Sequence, residues 1–220
     1  MADRWTTYDC YGTLIDWRRG IGGVLSRLFG EQHRARLLGR YYEVEAAIQA
    51  DGYRTYREVL DLGTARIAEE EERELTAGER TAMSESLRDW PAFPDTGDAL
   101  GELRRRGWKL AILSNCDRDL IAQSLPRLGV RFDRVIVAED VGSYKPQPGH
   151  WNRFFELTEA DPQRHVHVGA SLFHDVAPAG EMGMPTVWVN RVGEVPGPVP
   201  DREISDLSGL PRALEELMPA

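Results

Sequence analysis

Cysteine is almost absent from this chain. Its 220 residues include only Cys10 and Cys116, too few for a disulfide framework, and a reduced cytoplasm is the expected compartment. Long apolar runs are missing too. No stretch approaches the ~18 residues of a membrane-spanning helix, so no membrane is expected as a partner. The first residues, MADRWTTYD, lack the apolar centre of a signal peptide. Positive charge is in deficit: 27 Lys and Arg stand against 36 Asp and Glu, a net charge of −9. Nucleic acid is therefore not an expected partner, because phosphate backbones need a basic surface. His165 and His167 fit no metal-ligand spacing and are expected to pack within the sheet.

What is present is a real core. The hydrophobic fraction is 41%, and the charged fraction of 29% is ordinary for a globular protein. Residues 4–10 read as a strand. From about 17 to 90 the pattern is helical. Leu37, Tyr41, Val44 and Ile48 mark one helix face, with Tyr56, Val59, Leu60 and Ile67 continuing helically. The EEEERE run is expected to be a solvated helix face. Thr76 and Glu79 have the spacing of a capping box. Two prolines in WPAFPD, residues 90–95, mark a boundary, and Asp95 is expected to cap the helix that follows. Beyond it strands alternate with helices. KLAILS, RVIVA, HVHV and TVWVN are strands, and helices are expected over 117–125, 148–158, 175–183 and 210–217. This alternation predicts an α/β protein whose parallel sheet is covered on both faces. The economical organisation is a Rossmann-like core of residues 1–15 and 91–220 with a helical cap of 16–90 inserted after the first strand.

In such sheets ligands bind at the carboxyl ends of the strands. Asp9 follows the first strand, Ser114 and Asn115 the second, Lys145 the third, and GASLFHD, ending in Asp175, the fourth. The topology alone directs these segments to one crevice. Asp9 is then a candidate nucleophile able to form a covalent ester. Lys145 would keep it ionised and oriented. Asp175 would activate the water that hydrolyses the ester. Ser114, Asn115 and loop N–H groups would hold an anionic part of the substrate. His174 adjoins Asp175 on a site loop. Cys10 and Cys116 neighbour site residues, but no motif supports a cysteine nucleophile.

Taken in order, DCYGTLID, LSN, YKP and HVGASLFHD…GMPTVWVNR resemble the haloacid dehalogenase-like superfamily over nearly the whole chain. The resemblance implies a nucleophilic Asp9 supported by Thr13. Phosphatases of that superfamily carry an acid two places after the nucleophile and another in the fourth motif. Here those positions are Tyr11 and Ala170, so the leaving-group acid and one magnesium ligand are missing. Halide leaves without a proton. Within the superfamily the chain looks like an L-2-haloacid dehalogenase, a type whose first motif is Asp-x-Tyr-Gly-Thr. That likeness implies hydrolysis of short 2-haloacids with no metal or organic cofactor. By spacing it assigns the cap arginine that meets substrate and halide to Arg40. It implies a substrate-binding set of Tyr11, Ser114, Asn115, Trp151, Ser171, Phe173 and His174. The fourth motif departs from the usual Ser-Ser-Asn, and Ser171 or His174 would replace its asparagine. Apolar surface on the cap leaves room for a homodimer. Three alternatives stay open: a magnesium-dependent phosphatase of a small phosphometabolite, a hydrolase of another small carboxylate-bearing electrophile such as a strained ring amine, and a non-catalytic ligand sensor.

Overall fold

A computed structural model describes residues 3–195 and 197–219. The chain opens with β1 (Trp5–Tyr8) and then runs through helices α1 (Trp17–Phe29), α2 (Arg34–Ala50), α3 (Tyr56–Glu70), α4 (Ala77–Arg80) and α5 (Ala82–Ser86). It returns through α6 (Thr96–Arg105), β2 (Lys109–Ser114), α7 (Arg118–Ser124), β3 (Arg134–Val137), α8 (Ala138–Val141) and α9 (Gly149–Thr158). It ends with β4 (His165–Gly169), α10 (Ala177–Glu181), β5 (Thr186–Val189), β6 (Arg202–Ile204) and α11 (Leu210–Leu217). All strand pairings are parallel, in the order β3-β2-β1-β4-β5-β6. The strands WTTY, HVHVG and TVWV are buried along their whole length, as a sheet covered on both faces requires. The α/β architecture expected from the alternation is the one observed.

Three local features differ from the sequence reading. β6 was not foreseen, because REI is short, polar and largely exposed at the sheet edge. The helix expected from residue 175 begins earlier, as a π-turn over Leu172–Val176 that runs into α10. Asp95 does not cap α6 through its side chain. Its carboxylate instead accepts from Arg191 at 3.0 Å and from the Leu207 amide at 2.5 Å, donors from the segments after β5 and β6. The capping box of Thr76 and Glu79 is present, and Thr55 with Glu58 forms another at the start of α3.

Between β1 and β2 the regular elements among the described residues are all helices, joined by short loops such as 51–55 and 71–76. The outgoing segment and WPAFPD hydrogen-bond to each other, Asp16 N–H to Pro91 and Phe93 N–H to Leu14. A second tie lies at α3. The Asp117 carboxylate, from the loop after β2, accepts the N–H groups of Tyr56 and Arg57 at 2.8 and 2.9 Å. Negative charge at a helix N-terminus is favourable both to the orphan amides and to the helix dipole. The helical block is thus held against the sheet's carboxyl edge. Among the described residues no helix is long and apolar enough to cross a membrane.

Candidate active site

The chain winds from β1 to β2 and β3 on one side, then crosses to β4, β5 and β6 on the other. The connections after β1 and β4 diverge at this point, which opens a crevice above their carboxyl ends. Asp9 leaves β1 there, its N–H still donating to Val168 at 3.0 Å. Asp175 hangs from the turn after β4. Lys145 reaches between the two carboxylates, with Nζ 3.0 Å from Asp9 Oδ1 and 2.6 Å from Asp175 Oδ1. Thr13 donates to Asp9 Oδ2 at 2.9 Å and accepts the Ala170 N–H at 2.9 Å, tying the loops after β1 and β4 together. Asn115 acts on backbone: its Oδ1 accepts the Lys145 N–H at 2.7 Å, and its Nδ2 donates to the Lys145 carbonyl at 3.1 Å. Ser171 N–H donates to Asp175 Oδ2 at 3.2 Å.

Two glycines make this convergence sterically available. Gly12 has φ +107°, in a region L side chains avoid, and a Cβ there would lie 2.8 Å from the Trp17 indole nitrogen. A Cβ at Gly169 would meet the Asp175 carboxyl at 2.5 Å.

The charges follow from the geometry. Lys145 and Asp175 side chains are each 1% exposed, whereas that of Asp9 is 14% exposed. Burial pushes the Asp9 carboxyl up to about 6, against the pull of Lys145 and with the push of Asp175. Burial acts on Asp175 in the same sense, but Lys145 and His167 outweigh it and hold the carboxyl below its usual range. Burial opposes the Lys145 charge, and its two carboxylate partners more than offset that, so the ammonium sits above its ordinary value. Burial pushes the His174 imidazole down. At neutral pH the cluster therefore holds two carboxylates, Asp9 predominantly ionised, around one ammonium.

The cavity above Asp9 measures about 950 Å³. Tyr11, Ser114, Asn115, Lys145, Ser171, His174 and Asp175 line it together with Asp9. The Tyr11 hydroxyl is 3.0 Å from Ser124 Oγ, and its ring stacks on Tyr56 and meets Trp90 edge-on. The Ser171 hydroxyl accepts the His174 N–H at 3.0 Å and lies 3.1 Å from His174 Nδ1. Ser114 Oγ is buried without a partner among the described residues. The described residues hold no cluster of three or more His, Cys, Asp or Glu side chains arranged to bind a metal ion.

Three residues named from the sequence are not brought to Asp9. Arg40 lines a separate hollow on the outer face of α2 and α3 and pairs with Glu70 at 2.8 Å and Glu43 at 2.6 Å. At about 100° per residue, Arg40 lies roughly 240° around α2 from Arg34. Arg34, Leu38, Tyr42, Glu45, Ala46 and Gln49 all face the cavity, within an arc of about 120°. Arg34 is thus the α2 arginine on the cavity side. Phe173 is 65% exposed and points to solvent, since the π-turn aims its side chain away from the crevice. Trp151 is fully buried under the sheet and packs edge-on against His167 at 5.1 Å.

The sequence reading also passed over cavity residues. Arg34 and Arg18 stand in the helical wall, and Arg191 stacks on Phe93 at 3.7 Å. The recurrence Arg34, Leu38, Tyr42, Glu45, Gln49 was a readable signal, a second face beside the apolar one.

Comparison with known proteins gives the family and the fold. The family model of haloacid dehalogenase-like hydrolases matches residues 7–183. An (S)-2-haloacid dehalogenase of Pseudomonas sp. strain YL is 29% identical over 222 residues, covering 96% of this chain and 92% of that protein. A phosphoserine phosphatase of Thermus thermophilus is 33% identical over a shorter 158 residues, covering 70% of this chain and 61% of that one. The structure of the L-2-haloacid dehalogenase of Xanthobacter autotrophicus with chloropropionic acid covalently bound superposes with a TM-score of 0.86 at 20% identity, covering 98% of this chain and 99% of that one. At that identity the likeness concerns the fold.

Proposed function

The chain belongs to the haloacid dehalogenase-like hydrolase family, and from that premise we propose that it hydrolyses short 2-haloacids to 2-hydroxyacids and halide through an ester on Asp9. The observation that carries this reading is the surroundings of Asp9. One oxygen is held by Lys145 and the other by Thr13, so the carboxylate is oriented and ionised. Two residues on, Tyr11 presents a phenol already engaged with Ser124. No carboxylic acid stands there to protonate a leaving alcohol. Chloride and bromide need no such proton. An alkoxide released from a phosphate ester would. The near full-length likeness to an (S)-2-haloacid dehalogenase supports the same choice over the partial likeness to a phosphatase.

Asp9 attacks the halogen-bearing carbon from the side opposite the halogen. The carbon–halogen bond breaks as the ester C–O bond forms, inverting the carbon. Arg34, on the cavity face of α2, takes the role expected of Arg40 and stabilises the departing halide. Ser114 and loop amides hold the substrate carboxylate. Asp175 then takes a proton from water, whose oxygen adds to the Asp9 ester carbonyl, while Ser171 and His174 line the approach. The ester opens, the departing alkoxide takes back the proton held by Asp175 to leave as the hydroxyacid, and Asp9 loses its own proton and is regenerated as the carboxylate. In this reading residues 16–90 form a cap over a core of residues 1–15 and 91–220.

The test is halide release from the two enantiomers of 2-chloropropionate, with and without a chelator. Release from one enantiomer that survives chelation is expected. Single turnover in oxygen-18 water should leave the label on Asp9. Phosphate release that needs magnesium, with no halide from any 2-haloacid, would overturn the proposal.

A further inference from the structure

Below Asp175 runs a row of buried polar side chains that the proposed chemistry does not use. Thr7 on β1 is registered beside His167 on β4, and His165 lies two residues earlier on the same face. Thr7 Oγ1 is 2.7 Å from His165 Nε2 and 2.8 Å from His167 Nδ1. His167 Nε2 lies 3.4 Å from Asp175 Oδ1. Aromatic rings pack against both histidines. Trp151 meets His167 edge-on, Phe154 stacks on His165 at 4.9 Å, and Phe155 meets His165 edge-on at 5.2 Å. Apart from this row, Lys145 is the charged group that faces Asp175. His165 Nδ1 is buried and has no partner among the described residues.

Proton counting orients the row. Asp175 is ionised beside Lys145, so it must accept, and His167 Nε2 must carry the hydrogen. Burial keeps the His167 ring neutral, which leaves Nδ1 as an acceptor. The single Thr7 hydroxyl proton then goes to His167 Nδ1. Thr7 Oγ1 is left to accept, and His165 Nε2 must be the N–H that it accepts. His165 Nδ1 is then a bare lone pair, and this is the atom found without a partner. The reverse direction would strand a buried N–H at His165 and set the lone pair of His167 Nε2 against a carboxylate, each a costly arrangement.

We infer that His165, Thr7 and His167 form a one-way hydrogen-bond chain ending on Asp175 Oδ1, and that His167 is a positioning residue which leaves Asp175 Oδ2 as the oxygen for water. Oδ1 already accepts from both Lys145 and His167, whereas among the described residues Oδ2 accepts only the Ser171 N–H. The direction of the chain stands on the geometry of the row and on the ionised Asp175 and neutral His167. The role of Oδ2 rests on the proposed hydrolysis.

The first test needs no turnover. Long-range ¹⁵N–¹H spectra of the histidine rings in the intact chain, assigned with H165Q and H167Q, should give both residues as neutral Nε2–H tautomers across about pH 6 to 8. An Nδ1–H tautomer or an imidazolium at His167 would overturn the inference. The second test uses near-isosteres. Glutamine can set an N–H where Nε2 stood, and asparagine only where Nδ1 stood. H167Q should keep kcat within about threefold, while H167N should lose about 10- to 100-fold in kcat with KM unchanged, the worth of one hydrogen bond to a charged group. Equal loss in both variants would contradict the positioning role. Should the His167 variants fail to fold, T7V must disturb the His167 ring signals and T7S must restore them. Nε2–H tautomers in a protein that releases no halide would uphold the chain and sink the dehalogenase reading alone.

Discussion

On the sheet side of the cavity the charged groups are held by several short hydrogen bonds, and on the helical side they are held by few and longer ones. Both Asp9 oxygens, the Lys145 ammonium and both Asp175 oxygens are hydrogen-bonded before any substrate enters. In the facing wall Arg34 has Glu31, at 3.4 Å, as its one ion-pair partner among the described residues, and Arg18 lies 5.5 Å over the Tyr42 ring. Glu45 makes no ion pair among the described residues, and its burial pushes the carboxyl up to about 7. A preorganised site spends no free energy on reorientation during the reaction. A wall with unspent donors can wait for the ligand to supply partners. In the proposed mechanism bond-making falls to the sheet edge and recognition to the helices, and each half can be tested against the other.

Substitution at the nucleophile should have the largest effect. D9N is expected to lower halide release by at least about 10⁴-fold, as loss of a covalent nucleophile does. The same variant should be the more stable protein above pH 6. With its folded-state carboxyl raised to about 6, Asp9 favours the fold while protonated, and that contribution is lost as pH rises from the ordinary carboxylate range through 6. Melting curves at acidic and alkaline pH will read the crossover. A D9N protein less stable than wild type at pH 8 would contradict the strained carboxylate.

K145M comes next. It leaves two buried carboxylates without their cation, and about 3–5 kcal/mol of stability should be lost in urea titrations at pH 7. Turnover should fall by about 10²- to 10³-fold. The helical wall is tested by a matched pair. R34A should lower kcat/KM by about 10- to 100-fold, the worth of a charged hydrogen bond, whereas R40A should leave it within about twofold because its partners are surface carboxylates. The opposite ranking would break the assignment of faces on α2. The pH profile gives a milder test. Asp9 attacks only when ionised, so kcat/KM should rise with pH through about 6 on a single ionisation and then level. D117N should have the smallest effect. Loss of charge at the α3 N-terminus should cost about 1 kcal/mol and raise KM by a few-fold as the helical wall loosens.

Much of the sheet was readable because its signals are local. KLAILS, HVHV and TVWVN are apolar runs bounded by turns, and their order directs Asp9, Ser114, Lys145 and Asp175 to one edge. Arg40 misled for a local reason too: it matched a spacing, and spacing along the chain does not reveal which side of a helix faces the crevice. Phe173 and Trp151 erred alike. Adjacency to Asp175 did not bring Phe173 into the cavity, and the distance from Lys145 did not keep Trp151 out of the layer beneath.

By its residue pattern alone the chain determined a parallel α/β sheet, a run of helices after the first strand and the four loops at the sheet's carboxyl edge, since hydrophobic periodicity and turn residues act over a few positions. Only the tertiary structure decided which arginine enters the cavity, that Asn115 braces the Lys145 backbone, and that Thr7, His165 and His167 line up under Asp175. Those contacts join residues up to 160 positions apart, and they exist only once burial has excluded water and left the polar atoms to find partners among one another.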